Sequence, residues 1–186
     1  MKFFTPELFV QGNSLNPTLV DQSEAAWEEA LDRYGIHFQS IADSLPESMR
    51  RFCDEQCLHD ADVFAPALID GPPKQVMIVA QQVNTLRPET LNTLITLRYD
   101  VVEDPTIEIP VVSELFSDRC PVWLYEEIDV VAPGVFSHEI LYSDGRVLKI
   151  LFHDFHYDTA RLVLPEWTLQ ELLRKKPRGL VASSVA

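Results

Sequence analysis

The chain is short of the residues that staple, break or span. Only three of its 186 residues are cysteine, Cys53, Cys57 and Cys120. An odd, small number in a chain of this length argues against a disulfide framework. Glycine is scarce too, at six residues, and there is no glycine-rich phosphate loop. The sequence also lacks a Gly-x-Ser-x-Gly nucleophile elbow and a His-Glu-x-x-His zinc motif. No apolar run nears the ~18 residues that a membrane span needs. The opening, Met1 to Glu7, has no long apolar core of the kind a secretion signal carries. Basic residues are few, with 15 Lys and Arg against 29 Asp and Glu, a net charge of −14. Such a field repels nucleic acid and anionic membrane, and it favours a cationic partner. These absences point to a cytoplasmic protein and name no reaction.

What is present is ordinary for a folded chain: 46% hydrophobic and 24% charged residues. The length suits one domain, expected over residues 1–178, with residues 179–186 fraying. A short strand is expected from Lys2 to Val10, then a loop marked by Gly12, Asn13, Asn16 and Pro17. Asp21 or Ser23 can cap a helix start, and Glu24, Glu28 and Glu29 suit its positive end. Trp27, Leu31, Tyr34, Phe38, Ile41 and Leu45 recur every three or four residues and draw one apolar stripe along that helix. Gly35 weakens its middle. Ser44 and Pro46 open a second helix to about Cys57, with Met49 and Phe52 inward.

Past about residue 60 the period changes from 3.6 to 2. Strands are expected over Val63–Ile69, Val76–Val83, Leu94–Val102 and Pro121–Val131, with residues 103–120 a long loop. Val135–Tyr142 and Val147–Tyr157 flank Asp144-Gly145, the favoured centre of a two-residue hairpin turn. That turn would set Tyr142 opposite Val147 and His138 opposite Leu151. A last strand over Arg161–Leu164 and a closing helix over Trp167–Lys176 complete the reading, the helix ending on Arg174, Lys175 and Lys176. Short turns between strands require antiparallel pairing.

Four residues are candidate metal ligands: His59, Asp60, His138 and His153. Imidazoles and carboxylates together suit zinc, iron or manganese. Under the hairpin register above, His138 and His153 are diagonal neighbours on one face, while Glu139, Asp154 and His156 point to the other. The same face carries Phe136, Ile140, Tyr142, Leu151 and Phe155, so packed histidines are the plainer reading. Cys53, Cys57, His59 and Cys120 lack the second close pair of a structural zinc site, so the three cysteines read as free thiols. Glu126 and Glu127, adjacent in a strand, point to opposite faces. Residues 21–62 hold eleven Asp and Glu against three Arg, which leaves −8. That acidic front is either a docking face for a basic partner or a solvated helix exterior.

Several stretches resemble an uncharacterised bacterial family of unknown function. They are Lys2-Phe3-Phe4-Thr5-Pro6-Glu7-Leu8, Ala26-Trp27-Glu28, Leu58-His59-Asp60-Ala61 and Val122-Trp123-Leu124-Tyr125. The last pieces are His138-Glu139-Ile140-Leu141-Tyr142-Ser143-Asp144-Gly145 and Phe152-His153-Asp154-Phe155. The resemblance implies one intact domain and brings no activity or cofactor.

The resulting expectation is an α+β fold, with N-terminal helices packed on an antiparallel, mostly meander sheet of about six strands. Several strands are apolar on both faces, so the sheet must be covered twice or curl. The leading functional expectation is a non-enzymatic binding protein with a basic protein partner and no cofactor. The alternatives are a metal-dependent hydrolase using a divalent metal at His59, Asp60, His138 and His153, and a structural homodimer subunit.

Overall fold

A computed structural model describes residues 1–64, 66–82, 93–109 and 121–161. The expected closing helix Trp167–Lys176, the tail 179–186, Cys120 and most of the 103–120 loop lie outside the described residues.

The chain opens with helices, not with a strand. Helix α1 spans Pro6–Gly12, so the expected strand from Lys2 to Val10 is corrected. The start signal is Thr5-Pro6-Glu7. The Thr5 hydroxyl accepts from the Leu8 N–H at 3.3 Å, Pro6 takes the first helical position, and Glu7 sits at the positive end. Helix α2, Pro17–Ile41, begins four residues before Asp21. Asn16 caps it, accepting from the Thr18 N–H at 3.1 Å, and the helix runs through Gly35 unbroken. A short 3-10 turn, Ala42–Ser44, leads to α3, Glu47–Glu55. Met49 and Phe52 of α3 are fully buried, as their spacing requires, whereas Cys57 lies beyond the helix end.

Eight strands follow among the described residues: β1 Ala61–Val63, β2 Ala67–Ile69, β3 Gln75–Gln82, β4 Thr93–Val101, β5 Thr106–Glu108, β6 Val122–Ala132, β7 Val135–Tyr142 and β8 Val147–Arg161. All their pairings are antiparallel. The expected strand Val63–Ile69 is two strands, β1 and β2, which both pair with β3. Pro66, which has no N–H to give a ladder, falls between them.

The sheet is not an open meander. Its order is β1-β6-β7-β8-β4-β3, and β1 pairs back to β3, so six strands close into a barrel. Strands that are apolar on both faces are thereby accommodated by curling. The interior is filled by Val76, Ile78, Ile95, Leu97, Ile140, Leu148, Ile150, Phe152 and Phe155, all fully buried or nearly so.

The β7–β8 hairpin departs from its expected register by one residue. Leu141 faces Val147 and His138 faces Ile150. The Gly145 N–H donates to the Tyr142 carbonyl at 2.8 Å, and the Tyr142 N–H donates to Arg146 at 2.9 Å. That pattern is a three-residue loop closed by a bulge, with Gly145 in the left-handed region at φ 77. A second irregularity lies in β8. Asp100 pairs with Asp154 but Val101 with Phe152, so His153 is the extra residue and both Phe152 and Phe155 face inward.

Candidate functional site

The site is built where the helical front meets the barrel rim. Glu127 on β6 anchors that junction. It is buried, and its carboxylate accepts from the backbone N–H of Lys2, Phe3 and Phe4 at 2.6, 2.8 and 2.7 Å. Three charge-assisted bonds fix the arm before α1. Beside it, Asp129 takes the Lys2 ammonium and lies 3.1 Å from His37 Nε2. The Ile128 N–H, on the side of β6 away from β7, donates to the Tyr34 hydroxyl at 2.8 Å. Helix α1 folds back on α2 through a close approach: a Cβ at Gly12 would stand 2.9 Å from Ser23 Oγ. The Ser23 hydroxyl in turn donates to the Leu8 carbonyl at 3.3 Å.

Between this helix pair and the start of β6 lies a cleft of about 420 Å³. Its aromatic wall is Trp27 against Tyr125, ring centroids 4.4 Å apart and edge-on, backed by Phe4 at 5.5 and 5.3 Å. His59 closes one side, 5.0 Å from Tyr125. A bulge in β6 creates this wall. Trp123 pairs with Tyr142 but Tyr125 with Leu141, so Leu124 is skipped. In a regular strand Trp123 and Tyr125 would share a face; the extra residue leaves Trp123 in the barrel and turns Tyr125 out to the cleft. The Trp27 indole N–H is buried without a hydrogen-bond partner among the described residues, as are the Tyr142 hydroxyl in the core and the Arg50 Nε on α3. An unmet buried polar group costs about 1–3 kcal/mol.

Charge completes the cleft. Glu24 and Glu28, one turn apart on α2, line it and are exposed. Neither has an ion-pair partner among the described residues. Among the described residues no Lys or Arg lines the cleft. His59 Nδ1 stands 2.6 Å from the Leu124 carbonyl. A carbonyl only accepts, so Nδ1 carries a proton, and Nε2 lies 3.7 Å from Asp60 Oδ1. Asp60 is in the left-handed region at φ 66, a conformation Asp tolerates better than most residues.

No family model matches this chain, nor does any curated protein or solved structure.

The four sequence candidates fall in three places. His59 and Asp60 sit at the cleft. His138 is inside the barrel, where Nε2 lies 3.1 Å from Glu126 and Nδ1 lies 2.9 Å from the Tyr99 hydroxyl. Glu126 accepts from Nε2–H, and Nδ1 accepts from the phenol, so each group has one partner for each role. Burial pushes the Tyr99 phenol well above its ordinary pKa, and Glu126 adds to the shift. His153 is exposed at the β8 bulge, with Nδ1 2.8 Å from the Gly134 carbonyl. His138 and His153 therefore do not share a face; with His138 opposite Ile150, alternation puts His153 on the other side of β8. Among the described residues no three His, Cys, Asp or Glu side chains gather as metal ligands. Cys53 faces the core, where burial pushes its thiol up, which makes it a poor nucleophile.

Sequence reasoning missed Trp27 and Tyr125 as a pair. Trp27 was expected in a core stripe, and nothing local announces the bulge at Leu124. The signal that was there is Glu24 and Glu28 flanking Trp27 at helical spacing.

Proposed function

We propose that this chain is a non-enzymatic binding protein that docks a basic protein partner on its acidic helical front. The observation that carries the reading is the cleft in that front. It is concave and aromatic, and carboxylates line it with no Lys or Arg among the described residues. All eleven Asp and Glu of residues 21–62 are exposed. Arg33, Arg50 and Arg51 reach Glu29, Asp43 and Glu55, and Asp21, Glu24, Glu28, Asp32, Glu47, Asp54 and Asp62 have no ion-pair partner among the described residues. Aromatic anchors inside a charged rim are how protein interfaces concentrate their binding energy.

The test is calorimetric titration with a short arginine-rich peptide at low, physiological and high salt. Saturable binding that weakens steeply with salt is expected, because exposed charges are screened beyond about 8 Å at physiological ionic strength. Neutralising Asp21, Glu24, Glu28 and Asp32 together should remove most of it. An unaltered affinity in that variant, or no binding at low salt, overturns the reading.

A further inference from the structure

The cleft is the third instance of a pattern that the chain completes for itself twice. On α2, Arg33 lies over the Phe3 ring at 5.6 Å, with Glu29 one turn back at 4.0 Å. On α3, Arg51 lies over the Tyr157 ring at 5.5 Å, with Glu55 one turn on at 3.6 Å. In each case a guanidinium is held between an aromatic face and a helix carboxylate. The cleft offers aromatic rings, Trp27 and Tyr125, beside two helix carboxylates, Glu24 and Glu28, with no Lys or Arg in its lining among the described residues.

We infer that the cleft is an anchor pocket for one arginine side chain of the partner. This rests on the binding reading above and names the group that enters. Arginine fits better than lysine on physical grounds. Its planar cation stacks on rings, forks across carboxylates and is weakly hydrated, so it leaves water at lower cost than a compact ammonium. The surrounding negative field draws it in.

The experiment titrates isotope-labelled full chain with N-acetyl-arginine amide, N-acetyl-lysine amide and N-acetyl-citrulline amide. The readout is the Trp27 indole N–H signal in the NMR spectrum, assigned by its loss in Trp27→Phe. The arginine amide should give a saturable shift, the lysine amide a weaker one and the uncharged citrulline amide none. Glu24→Gln combined with Glu28→Gln should weaken the arginine amide roughly five- to tenfold. Equal responses to arginine and lysine overturn the guanidinium assignment. If an arginine-rich peptide binds while Trp27 stays silent, the anchor pocket falls and the acidic docking face stands. If neither binds, both fall. Binding that appears only after Arg174, Lys175, Lys176 and Arg178 are changed to Gln would make the chain's own segment the occupant, and that too overturns an external anchor.

Discussion

His138 and His59 are the same side chain in two opposite settings. His138 is fully buried in the barrel with both nitrogens engaged, one by Glu126 and one by Tyr99. His59 stands at the rim with Nδ1 fixed by a backbone carbonyl and Nε2 3.7 Å from Asp60. Around His138 the interior's polar groups are paired, which is how polar groups hold a fold, although the buried Tyr142 hydroxyl of the same core has no partner among the described residues. Among the described residues the rim keeps exposed carboxylates without cations, and these are open to a cationic partner. Breaking the barrel's polar chain should therefore change stability without binding, and changing the rim should do the reverse.

The largest effect belongs to the seam that joins the two regions. Glu127→Ala removes one acceptor from three backbone donors in a nearly buried place. It should lower stability by about 3 kcal/mol or more, read as the shift in the urea midpoint. Glu127→Gln, which keeps one oxygen, should fall between. A loss below about 1 kcal/mol for the alanine variant would show that the arm is held by its rings and not by this carboxylate. Second in size is His138→Phe, which fills the space but leaves the Tyr99 hydroxyl and Glu126 unpaired. A loss of about 2–3 kcal/mol is expected, with arginine binding at Trp27 unchanged. A folded His138→Phe protein that no longer binds arginine would erase the division between interior and rim.

That division was half legible. Alternation placed Glu126 and Glu127 on opposite faces, and the structure has Glu126 against His138 and Glu127 under the N-terminal arm. The inward faces of α3 and the antiparallel β-rich half also followed from periodicity. What failed was long-range or depended on a single residue. Closure rests on β1 pairing with both β6 and β3, contacts between segments distant in sequence that no local pattern encodes. The hairpin register hung on whether Asp144-Gly145 closes a two- or three-residue loop, and one residue moves every neighbour. Tyr125 reaches the cleft because of a bulge at Leu124, which composition does not announce. The start of α1 was legible in Thr5-Pro6-Glu7, but Lys2 to Val10 was expected as a strand.

Acid separates the regions a third way. Burial pushes Asp129 up, but bonds from Lys2, the Val130 N–H and His37 outweigh it and hold the group below its usual range. Burial likewise opposes Glu139, and Lys149 helps to hold it down. A carboxyl depressed in the folded state contributes stability that is complete above its unfolded pKa, about 4, and is lost as pH falls through the folded value. Stability should therefore decline below about pH 4. Asp129→Asn should flatten that decline, followed as the urea midpoint against pH. An unchanged slope would move the acid sensitivity away from the helix–barrel seam.

The smallest effect on stability should come from the residues that matter most for binding. Glu24 and Glu28 are exposed and bond to nothing among the described residues. Exposed changes of this kind stay within about 0.5 kcal/mol. Neutralising them should even help slightly, because residues 21–62 carry eleven acids against three Arg and repel themselves. Glu24→Gln with Glu28→Gln should thus leave the urea midpoint level or raised while arginine binding falls. A protein that keeps seven or so unpaired carboxylates on one front, against its own stability, is expected to gain by them elsewhere. Were the double variant clearly destabilised, the two glutamates would be structural and the contrast between the paired His138 and the unpaired rim carboxylates would lose its main support.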